Sequence, residues 1–517
     1  MALRINYNFQ AEFTHVNLLK TEKNLNTSLE RLATGYRINS AKDDAAGLFI
    51  ADQLNLVAKA LDQGSRNAQD GISAAQIAEA SLSQIYEKLT DMYTKAQQAA
   101  TDTNDANARL ALQRDIQKLV DAIDRISAAA EFNGIKLLDG SFRDKVIHYG
   151  ARADQTLTMS IDSARAKDLG AYIIDGSGKS TVSTSSAYST LIAGNWKYGD
   201  AGDKAIVAGV DLSSSLTAGA VDAKDIADAI NNNSTLQELG ITAKAKNVSV
   251  ATNEWTNVTV GDDDTVTLKF YVGADTGTAD VTITYNSGDV ITLEDLVSKI
   301  NTKASAADVS LRARAENNRL VLETDGETIG LEVSIADSAS GSGTSTSIDL
   351  DRILQVTSGS TLNESDGGTA TGSAVKVGDL TVTGASSYDY DFTGITSSTE
   401  GLGISAASGN STLYNLNSLD VRSNDKAELA MTIINTVIKK VDTLRSSLGS
   451  IQINLQAIID NNDFSATQTR EAESRIRNVD FAKEMSNFTK QQTLMQSGMA
   501  MLAQANQLPQ LVLQLLR

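Results

Sequence analysis

The sequence predicts an α+β multidomain fold, with long antiparallel α-helical coiled-coil or rod segments from both termini and a β-rich central region. Three observations carry this expectation. Apolar residues near both ends recur at alternating steps of three and four, the pattern of a helix packing along a narrow seam. Proline occurs once in 517 residues, at Pro509, and proline is the residue that breaks helix interiors. The texture of the chain also changes twice. Residues 1 to about 130 and about 411 to 517 are rich in Ala, Leu, Gln, Asn and Lys, whereas about 170 to 410 are rich in Gly, Ser, Thr, Val and Asp. A chain of this length exceeds what one core organises, so several domains are expected.

The N-terminal stripe is Leu18, Leu25, Leu29 and Leu32. From Ile50 a longer one runs through Leu54, Val57, Leu61, Gly64, Ala68, Gly71, Leu82 and Leu89 to Ala99. At about 1.5 Å per residue such a helix is roughly 80 Å long. Gly64 and Gly71 weaken it locally but let a neighbour come close. Leu112, Ile116, Leu119, Ile123 and Ile126 repeat the pattern. In the C-terminal part it is carried by Ile434, Val441, Leu448 and Leu455 among others. A polar break at Asn461-Asn462-Asp463 is expected before the last stripe, Phe481, Met485, Phe488, Met495, Met499 and Leu502, with Gln492 among them. The ordinary alternative for any one stripe is the core of a helical bundle. A helix with only a narrow seam cannot fill a globular core, however, and each Leu or Ile it buries by pairing contributes about 1.5–3 kcal/mol. The terminal seams have no third partner within the chain, so neighbouring subunits are the expected ones.

The centre reads as an internal repeat. Asp225-Ile226-Ala227-Asp228-Ala229-Ile230-Asn231 matches Asp295-Leu296-Val297-Ser298-Lys299-Ile300-Asn301 in pattern. Each is followed by an alternating strand, at 241–246 and 309–314. Ser177 to Thr190, Ser338 to Ser347 and Thr357 to Ser373 read as exposed polar loops.

Several function classes are disfavoured. The net charge of −19 repels phosphate backbones, so nucleic acid is not an expected partner. With no cysteine, neither a disulfide framework nor a thiolate metal site exists. No run approaches the ~20 apolar residues that span a bilayer, and no secretory signal opens the chain. By those rules alone the protein is expected to be soluble and cytosolic, with no membrane contact. The two histidines, His15 and His148, fit neither a His-Glu-x-x-His zinc helix nor a packed triad. Gly261-Asp262-Asp263-Asp264 lacks the ligand spacing of a calcium loop and reads as a solvated hairpin turn. No phosphate-cradling Gly-x-x-x-x-Gly-Lys loop occurs, and Asp43-Asp44 reads as charge at a helix N-terminus. No catalytic residue, metal ligand or cofactor is therefore expected, and the chain is not expected to be an enzyme.

Five segments resemble bacterial flagellins: SLERLATGYRINSAKDDAAG (Ser28 to Gly47), RNAQDGISAAQIAE (Arg66 to Glu79), EFNGIKLLDG (Glu131 to Gly140), ESRIRNVDFAKEMSNFTK (Glu473 to Lys490) and LAQANQLPQLVLQLLR (Leu502 to Arg517). Order and position at both termini make the set specific. The resemblance implies a structural subunit that polymerises into the flagellar filament for swimming, located outside the cell. It also implies five segments: an N-terminal coiled-coil inner-core segment at 1–44, a rod segment of long helices plus a β-hairpin at 45–170, a variable surface-exposed β-rich region at 171–410 in two subdomains, a C-terminal rod helix at 411–470, and a C-terminal coiled-coil segment at 471–517. The terminal stripes would then be the assembly seam. Leu54, Leu61, Leu82, Leu89, Ile434, Val441, Leu448 and Leu455 would be rod packing.

In that family the extreme ends are disordered in the free subunit and order on assembly, because a thin helical pair buries too little to offset its ordering entropy. Expected partners are copies of the chain itself, flagellar cap and hook–filament junction proteins, an export chaperone and the flagellar type III export apparatus. A hook–filament junction protein with flagellin-like ends is the alternative. Two departures stand out. The family's Gln-Asn-Arg-Leu stretch reads Gln452-Ile453-Asn454-Leu455, without arginine. The stretch read by the animal innate receptor for flagellin carries Asp91 and Lys95 in place of arginine and leucine, and Asp115 belongs to the same altered surface. The Ser/Thr-rich loops are candidates for O-linked sugars, with bare exposed polar linker as the ordinary alternative.

Overall fold

The one proline of the chain, Pro509, ends none of its helices. The computed structural model describes residues 7–101, 103–193, 203–216, 221–273, 277–337, 345–357, 359–363, 368–394, 401–402, 404 and 407–515. Its helices, in order, are α1 (Phe9–Thr34), α2 (Ala45–Ala99), α3 (Ala106–Ala129), α4 (Tyr188–Ala193), α5 (Ala223–Asn231), α6 (Ser234–Glu238), α7 (Leu293–Ala307), α8 (Asn424–Arg477) and α9 (Phe481–Leu515). The chain forms two compact units. One holds Met1–Ala80, Ala130–Asp162 and Leu444–Arg517, and the other Ser81–Ala129 and Ser163–Thr443.

In the first unit, α1 opens on Asn8, whose side-chain oxygen accepts from the Ala11 N–H at 3.1 Å, one of the four donors a helix start leaves free. It closes on Gly35 at φ 76°, whose N–H returns to the Arg31 carbonyl, the left-handed stop that glycine adopts without strain. Asp44 accepts from the Gly47 N–H at 2.9 Å beside the start of α2. Ala68, Leu455 and Ile459 are buried together, with Ile72, Ile147, Leu157 and Ile451 packed on them. Ile147 and Leu157 belong to the antiparallel hairpin Lys145–His148/Thr156–Met159.

That hairpin explains two glycines. A methyl group at Gly64 would lie 1.9 Å from the Tyr149 carbonyl oxygen, and one at Gly71 2.6 Å from Ile147 Cδ1 and 3.1 Å from Leu455 Cδ1. The neighbour admitted at Gly64 is thus a β-hairpin, and at Gly71 that hairpin together with α8. The expected break at Asn461-Asn462-Asp463 is absent, because α8 runs on to Arg477. The polar residues have partners here: Asn462 Nδ2 donates to the Tyr149 carbonyl at 2.6 Å and Ser65 Oγ donates to Asp463 at 2.9 Å. The interruption between α8 and α9 falls at 478–480, later than the 470/471 boundary expected.

In the second unit, Leu82, Ile85, Leu89 and Met92 of α2, Ile116, Val120 and Ile123 of α3, and Ile434, Val437 and Val441 of α8 are buried. The two largest sheets of the centre are antiparallel, and a four-stranded sheet and two two-stranded ones accompany them among the described residues. A six-stranded sheet runs in the spatial order Arg312–Glu316, Arg319–Thr324, Thr242–Val250, Asp379–Gly384, Gly170–Gly176, Thr412–Asn415. A five-stranded sheet runs Val281–Asn286, Asp264–Val272, Ile329–Asp337, Thr369–Lys376, Ser180–Ser183.

Helices α5 and α7 fold alike. Asp222 caps α5 by accepting from the Asp225 N–H, and Thr292 caps α7 by accepting from the Asp295 N–H. At the far end, Asn231 donates to the Ala243 carbonyl at 2.8 Å and accepts from the Ala243 N–H at 2.9 Å. Asn301 makes the same pair of bonds to Ala313, both at 2.8 Å. Each asparagine therefore latches its helix to a strand residue twelve positions on.

The polar stretches expected to be loops contain regular structure. Ser180–Ser183 and Thr369–Lys376 are neighbouring strands, and α4 lies within or beside the first stretch. Ser373 is buried and donates to the Ser186 carbonyl at 2.8 Å. Small hydroxyl residues satisfied in this way pack inside a sheet as readily as they stand in solvent. Residues 338–344, 358 and 364–367 of those stretches lie outside the described residues. At 261–264, Asp264 is buried and opens a strand rather than standing in solvent. Its carboxylate accepts from the Thr346 hydroxyl at 2.6 Å.

Candidate assembly interface

The terminal helices α1 and α9 pair antiparallel. Asn8 Nδ2 donates to the Ala505 carbonyl at 2.9 Å. A methyl on Gly498 would sit 3.2 Å from Leu18 Cδ1, and one on Gly35 3.9 Å from the Phe481 ring. Arg31 stands 4.0 Å from Glu484. Where both helices end, the chains exchange backbone bonds: the Val479 N–H donates to the Gly35 carbonyl at 3.0 Å, and the Arg37 N–H to the Arg477 carbonyl at 2.7 Å. The Arg477 guanidinium lies 4.6 Å from the centre of the Tyr36 ring, within cation–π range.

Of the residues assigned to the assembly seam, Leu25 is buried, and Leu18, Leu32, Phe488, Met495 and Leu502 are half-buried. Leu29, Phe481, Met485 and Met499 stand exposed. The stripe splits because the pairing face is rotated from its centre. At about 100° per residue, the positions turned toward the partner on α9 are Glu484, Phe488, Gln491, Met495, Gly498, Leu502 and Ala505, all buried or half-buried. Every other seam position is polar or small. Thr14, Thr21 and Ser28 alternate with Leu18, Leu25 and Leu32 on α1 in the same way.

Of the residues this leaves outside, sequence reasoning placed Leu29, Phe481, Met485 and Met499 in the seam and missed Phe9, Phe13, Val16, Leu19, Leu494 and Met501. Phe9, Phe13, Val16, Leu19 and Leu29 of α1, and Phe481, Met485, Leu494, Met499 and Met501 of α9, are 47% to 64% exposed. Phe9 and Phe13 stack with ring centres 6.1 Å apart. The signal for the missed residues was present as apolar residues off the heptad positions, and a search for one seam passes over them.

Among the rod-packing residues, Leu82, Leu89, Ile434, Val441, Leu448 and Leu455 are buried, and Leu54 and Leu61 are half-buried. Ile50 and Val57 stand exposed while Ala51 and Ala58 take the buried positions. At the altered Gln-Asn-Arg-Leu stretch, Gln452 donates to Glu79 at 2.9 Å and Ile453 is exposed. Asp91, Lys95 and Asp115 form a charged row: Lys95 meets Asp115 at 3.0 Å, Lys118 meets Asp115 at 3.6 Å, and Lys88 meets Asp91 at 3.4 Å. The hydrogen bond from Lys95, then its charge, holds the Asp115 carboxyl below the usual range.

The family model for the bacterial flagellin N-terminal helical region matches residues 5–143, and that for the C-terminal helical region matches residues 431–516. A flagellin of Aquifex pyrophilus is 50% identical over 520 residues, covering all of both chains. One from Aquifex aeolicus strain VF5 is 46% identical over 535 residues, again covering all of both.

This chain belongs to the bacterial flagellins.

As a flagellin it is a structural subunit that polymerises into the extracellular flagellar filament. The hook–filament junction alternative has less support, since the full-length relatives are flagellins. Among solved structures, FliC from Burkholderia pseudomallei aligns with 74% of this flagellin and 98% of its own chain at 14% identity and a TM-score of 0.27. No helix of the described residues is long and apolar enough to cross a membrane.

Proposed function

We propose that this flagellin acts by assembly alone, and that α1 and α9 are completed as a folded pair only by the same helices of neighbouring subunits. The observation that carries this is the row of ten large apolar side chains left exposed on two thin helices. Covering each contributes about 1.5–3 kcal/mol, against a backbone ordering cost of about 1–2 kcal/mol per residue. Within α1 the pair buries only Leu25 and Ser28, so its own core cannot meet that cost. Large apolar side chains exposed in this number on two helices point to an interaction surface.

The measurement is polymerisation of the purified protein followed by electron microscopy and sedimentation. Long helical filaments are expected, and Phe13→Asp is expected to prevent them while the central sheets stay folded. A Phe13→Asp variant that polymerises at the wild-type concentration overturns the reading.

On the same reading no catalysis accompanies assembly. The exposed α1 and α9 faces are also what a flagellar cap, hook–filament junction proteins and an export chaperone serving the type III apparatus would meet. The charged row of Asp91, Lys95 and Asp115 would activate the animal innate receptor for flagellin poorly, because a salt bridge occupies a surface where the family presents arginine and leucine. Ordinary potency in a reporter-cell assay would reject that.

A further inference from the structure

We propose that the methionines of α9 form an oxidation-sensitive modification site, at which peroxide decides whether a free subunit can enter the filament. The proposal rests on the assembly reading above. The chain has eight methionines and no cysteine, so thioethers are its only oxidisable sulfurs. Four of the eight, Met485, Met495, Met499 and Met501, fall within 17 residues of α9. Met485, Met499 and Met501 are 49% to 58% exposed, whereas Met92 and Met159 are fully buried. The chain therefore concentrates its reactive sulfur on the helix whose outer faces the reading assigns to neighbouring subunits.

Position sharpens the point. At about 100° per residue, Met485 and Met499 lie on one flank of the face that meets α1, and Met501 lies with Leu494 on the other. Both flanks offered to neighbours thus carry a thioether. In the reaction a sulfur lone pair attacks one oxygen of hydrogen peroxide and the O–O bond breaks. The sulfur is oxidised to a sulfoxide, and the peroxide is reduced to water; an alkyl hydroperoxide leaves as its alcohol. A flexible apolar side chain becomes a polar one with an acceptor oxygen. Burying that oxygen without a donor is unfavourable, and the flanks that carry these three residues also present exposed Phe481 and Leu494. Assembly covers the sulfurs, so the reaction is confined to unassembled subunits. Reduction by the two epimer-specific methionine sulfoxide reductases reverses it.

The test exposes the purified full chain and preformed filaments to hydrogen peroxide, then reads oxidation residue by residue by peptide mass spectrometry. In the subunit, Met485, Met499 and Met501 should oxidise while Met92 and Met159 do not. In the filament the same three should react at least tenfold more slowly. The oxidised subunit should need at least tenfold more protein to polymerise, and treatment with both reductases should restore the original threshold. The triple variant Met485→Leu/Met499→Leu/Met501→Leu keeps these positions apolar but has no thioether there, so peroxide should leave its own polymerisation threshold, whatever that is untreated, unchanged. Oxidised wild-type protein polymerising at the untreated concentration overturns the proposal, as does equal oxidation in subunit and filament. Phe13→Asp separates the two ideas. If that variant fails to polymerise while oxidised wild type succeeds, the oxidation proposal alone falls. If Phe13→Asp polymerises normally, the assembly reading falls first.

Discussion

The terminal helices and the central sheets solve one problem in opposite ways. Strand Val281–Asn286 alternates buried Val281, Ile283 and Tyr285 with exposed Thr282, Thr284 and Asn286, and α7 beside it buries Leu293, Leu296, Ile300 and Ala304. Both elements find their apolar partners within the chain. α1 is as well capped as α7, yet buries one leucine and one serine. Good local signals form a helix in either case, but burial is what completes it. The centre draws that burial from its own sequence, whereas the ends leave large apolar side chains exposed, which the proposed reading assigns to other copies. On the proposed reading, a subunit made this way has folded central sheets before assembly, and end helices whose stability depends on its neighbours.

The hardest test of this contrast removes part of one region and asks whether the other notices. A chain lacking Leu508 to Arg517 should lose polymerisation, with the threshold concentration raised at least about a hundredfold, the equivalent of one or two buried leucines. Thermal unfolding of the central sheets should be unchanged. Calorimetry showing both transitions shifting together would break the contrast.

Two substitutions probe places where the chain completes itself. Gly64→Ala drives a methyl against the Tyr149 carbonyl oxygen, a backbone atom that cannot swing aside, so a loss of about 3 kcal/mol is expected. The effect should appear in denaturant unfolding of the unit holding the hairpin. Asn301→Ala removes both bonds to Ala313 and leaves its N–H and C=O without that partner, for a loss of about 2 kcal/mol. Asn231→Ala should cost about the same at Ala243. Equal losses would show that the two latches are energetically as well as geometrically equivalent. A loss at one alone would make the other an ornament of the repeat.

How much of this was legible depended on whether the deciding contact was local. The three-four spacing located α2 and α8, because periodicity is a property of neighbouring residues. It placed Ile50 and Val57 in the seam, where Ala51 and Ala58 sit instead, because small residues let helices approach and a hydrophobicity pattern ranks them low. Asn461-Asn462-Asp463 read as a break, since its partners, Ser65 and Tyr149, lie hundreds of positions away in sequence. Thr369 to Ser373 read as loop by composition, and only the strands on either side make them sheet. The candidate interface was half legible for a similar reason. A heptad marks the face that pairs within the subunit, while Phe9, Phe13 and Met501 off that face make sense only once a second copy is considered.

A further expected effect, confined to one pH window, lies in the region that completes itself. Asp222 caps α5 and also accepts from the Thr328 N–H at 3.3 Å. Burial, then the charge of Asp225, pushes its carboxyl up from 3.8 to about 6. The folded state therefore holds a proton that the unfolded chain has released over the interval between those values. Stability in that window falls as pH rises, and above about pH 6 the cost of the buried charge is present in full. Glu327 has the opposite sign: its bonds from Lys224 and Ser310 hold it below its usual range against the cost of burial, so its contribution is lost as pH falls. Comparing wild type with Asp222→Asn isolates the first effect. The amide keeps an oxygen for the Asp225 N–H and cannot ionise, so the variant should lack the decline between about pH 4 and pH 6 that wild type shows. Thermal unfolding of the central sheets at half-unit pH steps would read it. Polymerisation at neutral pH should be unaffected, because a group inside the self-sufficient region has no part in what the terminal helices require.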